Sequence, residues 1–242
     1  MRRTKIIATL GPATDDPVTL GKLIDAGADV VRVNFSHGGA GDRERRVRMV
    51  REVAEKHGRY VAVLGDLQGP KIRIQRFRNG PVQLVDGQAF ILDSAMDPEG
   101  GSLEGVGVAY APLSKDVGPG DVLLLDDGFI TLTVDRVSGT RIHCVVTQGG
   151  RLADNKGINK QGGGLSLGAL TERDKELILV AAELGADFIA VSFCRNAEDM
   201  NEARRVAKAH GSNAALVAKI ERAEAIENLT EIVDASDVVM VA

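Results

Sequence analysis

The chain has 242 residues, with 30 Lys and Arg against 34 Asp and Glu, a net charge of −4. Hydrophobic residues make up 44% and charged residues 26%, a globular balance that excludes disorder, collagen and coiled coil for the chain as a whole. The acidic balance argues against nucleic acid or an anionic membrane as partner, and two cysteines, Cys144 and Cys194, make neither a disulfide framework nor a cysteine zinc site.

The start, Met1-Arg2-Arg3, is followed by an apolar run from Ile6 to Leu10 that is too short for a signal-peptide core and is broken by Gly11-Pro12. No stretch approaches the ~20 apolar residues of a membrane helix. A cytoplasmic location is expected. Lys5–Leu10 reads as a strand, Pro17–Ala26 as a helix closed by Gly27, and Val30–Val33 as a strand. Asp42–His57 reads as a helix with Val47, Val50 and Ala54 on one face, closed by Gly58, and Tyr60–Leu64 as a strand.

Residues 71–167 differ. They hold 16 of the 28 glycines and show short alternating runs at Val82–Leu92, Val122–Leu125, Ile130–Val134 and Ile142–Thr147. Turn signals separate them at Asp86-Gly87, Gly118-Pro119-Gly120, Asp127-Gly128 and Ser138-Gly139, so this block is all-β. Gly162-Gly163-Gly164 at its end reads as a flexible hinge.

Beyond it, Thr171 is placed to cap a helix running to Leu184, with Glu172 and Asp174 in the first turn. Phe188–Val191 is a strand, Ala197–Ala209 a helix, Leu216–Ala218 a strand, Arg222–Ala235 a helix and Val238–Val241 a last strand, read as buried and central. Strict alternation with wholly apolar strands predicts a parallel sheet covered by helices. A (β/α)8 barrel and an open doubly wound sheet both fit, with six strands where a barrel needs eight. Truncation after the sixth strand is expected.

In such folds the chemistry gathers where strands end. The second strand ends in Arg32-Val33-Asn34-Phe35-Ser36-His37-Gly38, the third in Asp66-Leu67-Gln68-Gly69-Pro70-Lys71-Ile72-Arg73, and the fifth in Lys219-Ile220-Glu221-Arg222. The β block closes with Asn155-Lys156-Gly157. Several cations around one mouth suit a phosphorylated substrate, and two carboxylates among them suit a hydrated magnesium ion bridging to phosphate oxygens. That is the equipment of phosphoryl transfer. Each residue also has an ordinary reading: a surface ion pair for Lys219 and Glu221, a carbonyl cap for Arg32, a turn aspartate for Asp66 and a loop residue for His37. Core or strand positions suit the cysteines.

Thr4–Pro12, Val31–Gly38, Asp66–Arg73 and Lys219-Ile220-Glu221 together resemble the motifs of the pyruvate kinases, in the family's order and along the whole chain. The resemblance implies a partial (β/α)8 barrel of about six strands, in segments 1–70 and 168–242, with the inserted all-β lid, or B domain, at 71–167. It implies phosphoryl transfer from phosphoenolpyruvate to ADP, giving pyruvate and ATP. Arg32 would contact the substrate phosphate, and Lys219 would stabilise charge on the phosphoryl group and enolate oxygen. Asn34, Phe35, Ser36 and His37 would line the nucleotide region, with Arg73 and Lys156 on nucleotide phosphates. Glu221 would ligate magnesium or manganese.

Asn34, Ser36, Asp66, Leu67 and Lys71 would form the monovalent-cation region. Family members that need potassium carry glutamate where this chain has Lys71, so no potassium requirement is expected: the ammonium would replace the ion, with Asn34, Ser36 and Asp66 as its partners. The resemblance also implies that a magnesium-ligating aspartate, the last two barrel strands and a C-terminal domain supplying tetramer contacts lie beyond residue 242. The chain alone is expected to be inactive, and the full-length parent a homotetramer. The alternatives are a magnesium-dependent aldolase or lyase acting on pyruvate or oxaloacetate, and a non-catalytic chain that binds phosphometabolites.

Overall fold

Residues with different periodicities build two different kinds of structure along the chain. The first segment forms β1 (Ile7–Thr9), α1 (Pro17–Asp25), β2 (Val30–Asn34), α2 (Ala40–Lys56) and β3 (Ala62–Asp66). These assignments come from a computed structural model that describes residues 3–36 and 38–241. α1 begins where the Asp16 carboxylate accepts from the Thr19 backbone N–H and Pro17 takes the first turn. α2 buries Val47, Val50, Val53 and Ala54 along one face, as its apolar spacing dictates.

The middle segment forms β4 (Val82–Leu84), β5 (Ala89–Asp93), β6 (Gly105–Gly107), α3 (Leu113–Asp116), β7 (Val122–Leu125), β8 (Ile130–Ser138), β9 (Arg141–Gln148), β10 (Gly150–Leu152) and β11 (Ile158–Lys160). The last segment forms α4 (Glu172–Glu183), β12 (Phe188–Val191), α5 (Ala197–Ala209), β13 (Ala215–Ile220), α6 (Ala223–Glu227), α7 (Leu229–Ala235) and β14 (Val238–Val241). Thr171 and Asp174 form a reciprocal capping box at the start of α4.

The chain divides into two compact units, one made by the segments before Lys71 and after Leu167, the other by Lys71–Leu167. In the first, six parallel strands run in the order β1-β2-β3-β12-β13-β14. Alternation with helices makes this α/β unit a partial (β/α)8 barrel with six of eight strands. Its core packs Val31, Val33 and Val63 with Leu177, Ile189 and Met200. In the second, β11-β7-β8-β9-β5-β6 form a mostly antiparallel sheet, and β10 pairs with β4. Phe90, Leu92, Leu123, Leu132 and Val146 fill its separate core.

Several expectations are corrected. The helix expected over Arg222–Ala235 is two, broken at Asn228, whose φ of −100° and ψ of 19° leave the helical region. The run Val82–Leu92 is two strands, because the chain turns at Asp86-Gly87. The strand expected from Tyr60 starts at Ala62, and Tyr60 is exposed. Among the described residues β14 is the last strand of the sheet, with Val238, Val239 and Val241 exposed.

The triple glycine is also different from the hinge expected of it. Gly162, Gly163 and Gly164 all have φ near +80°, but residues on both sides belong to the β unit. Lys160 lies in β11 before them. After them, Leu165 and Leu167 pack on the β core, and Ser166 Oγ and N–H both donate to Asp116 Oδ2. The triplet is a loop of that unit, and the chain crosses to the barrel unit between Leu167 and Gly168.

Candidate active site

Parallel pairing brings the carboxyl ends of the strands to one side of the sheet. Asn34 lies opposite Asp66, Asp66 opposite Ala190, and Val191 opposite Ala218. The residues that end β2, β3, β12 and β13 therefore meet.

Asp66 is the hub of that meeting. It closes β3 and is almost wholly buried. Arg32 Nε donates to its Oδ2 at 2.7 Å, and Arg32 Nη1 donates to Thr9 Oγ1 at 3.1 Å. Lys219 Nζ lies 3.3 Å from Asp66 Oδ1 and 3.0 Å from Glu221 Oε1, and donates to Ser192 Oγ at 2.9 Å. A buried carboxylate is costly unless paired, and two cations supply the pairing, Arg32 from the adjacent β2 and Lys219 from β13 on the far side of β12. The result holds two positive groups side by side at the strand ends. Arg32 is not a carbonyl cap, and Asp66 is not a turn residue.

Glu221 follows β13 by one residue, and its Oε2 accepts from the Phe193 backbone N–H at 3.1 Å. Among the described residues no three His, Cys, Asp or Glu cluster as a metal cage. Magnesium commonly keeps several waters and takes one or two carboxylates plus substrate oxygens. Glu221 fits such a shared, water-rich site, whereas Asp66 is committed to Arg32.

At the end of β2, Asn34 Oδ1 accepts from the Ser36 N–H at 2.9 Å and shapes the turn. Phe35 follows Asn34 at the end of the strand. Its ring is buried, packs beside Gly65 and lies 5.2 Å under Arg43. Arg43 Nη2 donates to the Phe35 and Gly38 carbonyls. The Leu67 side chain is core, and its polar contacts run through the backbone: its N–H donates to the Ala190 carbonyl and its carbonyl accepts from Ser192 Oγ. His37 lies outside the described residues.

In the β unit, residues 72–74 run beside 156–158: the Ile74 N–H donates to the Lys156 carbonyl and the Ile158 N–H to the Ile72 carbonyl. This ladder gathers Lys71, Arg73 and Lys156. Arg73 Nη1 donates to the Asn155 carbonyl at 2.8 Å, Lys156 Nζ lies 2.8 Å from Asp126 Oδ1, and the Lys71 stem passes Gly157.

Ser192 and Phe193 were missed by the sequence reading. They follow β12 directly, so the strand-end rule that selected the other residues points to them as well. Both cysteines are buried, and burial pushes the Cys144 thiol up to about 12 and the Cys194 thiol up to about 11. The groove at the opposite end of the strands, bounded by Lys5, Asp29, Arg51, Tyr60 and Asp187, pairs Lys5 with Asp29 and Arg51 with Asp187.

The family described as pyruvate kinase, barrel domain, matches residues 1–242. The chain is 55% identical over 245 residues to "Pyruvate kinase II" of Salmonella typhimurium (strain LT2) and 52% identical to "Pyruvate kinase" of Haemophilus influenzae. It is 42% identical to "Pyruvate kinase" of Mycobacterium intracellulare. Each alignment takes in all of this chain and 51% of the relative, so the chain spans about half the length of the curated relatives it matches.

Proposed function

The chain belongs to the pyruvate kinase family, and we propose that it carries the substrate-binding strand ends of an enzyme that transfers a phosphoryl group from phosphoenolpyruvate to ADP. The observation supporting this reading is the pair of cations, Arg32 and Lys219, converging on Asp66 with Glu221 beside them. In the reaction the P–O bond to the enol oxygen breaks, a β-phosphate oxygen of ADP takes the phosphorus, and the enolate carbon takes a proton to give pyruvate. Arg32 binds the phosphate of the substrate. Lys219 places its ammonium where charge develops on the enolate oxygen and the phosphoryl group in flight.

Glu221 holds magnesium or manganese; when bound, the ion supplies Lewis-acidic charge to substrate oxygens. We assign Arg73 and Lys156 to nucleotide phosphates, and to the β unit the family's lid role. Asn34 and Ser36 shape the turn beside the substrate. Lys71 carries positive charge in place of potassium, so the enzyme needs none. The location is cytoplasmic, and the full-length assembly is a homotetramer.

The test is pyruvate release from phosphoenolpyruvate and ADP, measured on the 242-residue chain and on a polypeptide extended to the length of the relatives. Turnover is expected from the extended polypeptide, and little from the 242 residues alone. Lys219→Ala in the extended form should abolish it, and Lys71→Glu should create a potassium dependence absent from wild type. Full turnover in Lys219→Ala would overturn the assignment; potassium activation of wild type would overturn the role of Lys71.

A further inference from the structure

We infer that Ser192 is a positioning residue for Lys219, and that the turn it begins holds Lys219 and Glu221 in register. The meaning of Lys219 rests on the phosphoryl-transfer reading, but the placement rests on contacts alone. Ser192 is buried one residue beyond β12. Its Oγ donates to the Leu67 carbonyl at 2.8 Å and accepts from Lys219 Nζ at 2.9 Å. A hydroxyl has one proton, and here it is spent on Leu67. Oγ therefore faces Lys219 with lone pairs only. It ties the tip of a flexible four-carbon side chain to the backbone at the end of β3.

The next two residues extend this hold. Phe193 has a φ of +59°, which a residue with a side chain rarely adopts, and its N–H donates to Glu221 Oε2. Cys194 Sγ donates to the Lys219 carbonyl at 3.3 Å. Three consecutive residues thus touch Lys219 at both ends and Glu221 at its carboxylate. The strained backbone is what aims the Phe193 N–H at that carboxylate.

The chemistry explains why a neutral acceptor stands here. Lys219 already lies between two carboxylates, Asp66 and Glu221. A third would cancel the charge that a developing enolate requires, and no acceptor at all would let the ammonium settle onto whichever carboxylate is nearer. Serine fixes position without adding charge.

The experiment follows the Lys219 ammonium by nuclear magnetic resonance in the 15N-lysine-labelled chain, assigned with Lys219→Arg. Hydrogen exchange of that ammonium with water is compared in wild type, Ser192→Ala, Ser192→Cys and Ser192→Thr. Cysteine keeps the branching with a larger atom that is a weak acceptor; threonine keeps the hydroxyl. Exchange should quicken about tenfold or more in the alanine and cysteine variants, as loss of a charge-assisted bond implies, and return toward wild type in threonine. In the extended polypeptide, kcat should fall about tenfold in Ser192→Cys with KM for phosphoenolpyruvate little changed. Unchanged exchange in a folded Ser192→Ala or Ser192→Cys overturns the proposal, whether or not the protein transfers phosphoryl groups. Quickened exchange in a protein whose wild type shows no turnover supports the positioning and refutes the activity.

Discussion

A Cβ added to Gly69 would lie 2.7 Å from the Ser192 Cβ, closer than two carbons can approach. Gly69 also has a φ of +66°, and its N–H donates to Asp174 Oδ1 at 2.9 Å. The loop after β3 is thus pressed against the turn that touches Lys219 and Glu221. Gly69→Ala should cost about 1–2 kcal/mol for the left-handed backbone and about 1–3 kcal/mol more for crowding. Gly185→Ala is the control, because Gly185 has a φ of +62° with nothing within 4 Å. Denaturant unfolding should show the larger loss for Gly69→Ala; equal losses would remove the crowding argument.

Asp174 is fully buried at the start of α4 and accepts from the Gly69 N–H and from both the N–H and Oγ1 of Thr171. Asp174→Ala leaves these donors without a partner, at about 1–3 kcal/mol for each one that water does not reach. Loss of several kcal/mol is expected by urea unfolding, with faster amide exchange at Gly69. A variant as stable as wild type would show that the cap does not hold the loop.

The acid limb of stability is set by carboxylates held below their ordinary value of 3.8. The Arg46 hydrogen bond lowers Asp15, the Gly118 N–H lowers Asp121, and the Leu216 N–H lowers Asp237. A folded-state value below the unfolded one gives stability that is present above 3.8 and lost as pH falls below it. Asp237→Asn should be less stable at neutral pH and lose less on acidification. Parallel melting curves for the two proteins across this range would refute the role of Asp237.

Burial raises the two thiols instead, so the sign reverses at alkaline pH. Their ordinary value is 9.0, against about 12 for Cys144 and about 11 for Cys194 in the fold. Stability is full below 9.0 and falls as pH rises above it, because the unfolded thiols ionise first. At neutral pH both should resist alkylation in the native state and react on denaturation. Rapid labelling of either in the folded chain would contradict their burial.

The sheet ends in two open edges. Ile7 on β1 and Val241 on β14 are both exposed, and unpaired apolar edges invite pairing with another chain. The 242-residue chain should self-associate with rising concentration in sedimentation velocity, and Ile7→Lys with Val241→Lys should suppress it. A wild type that stays monomeric throughout would show that the edges do not pair.

The candidate site was largely legible because parallel strands deliver their ends to one side. Arg32, Asp66, Lys219 and Glu221 could be chosen from strand ends in the sequence, and the structure brings them together. Ser192 was overlooked because a serine after an apolar strand has no distinguishing spacing; only its two hydrogen bonds mark it. Phe35 and Leu67 sat within the right motifs, yet burial of each side chain depends on neighbours far along the chain.

Periodicity, composition and capping residues determined the alternation of strands and helices and the separate β block, because these are local properties of 3.6-residue and two-residue repeats. Pairing order and the burial of Asp66 were decided only by the tertiary structure. So was the place of the triple glycine, a loop held on both sides by the β unit. Each depends on which distant segment packs against a residue, and no local pattern carries that information.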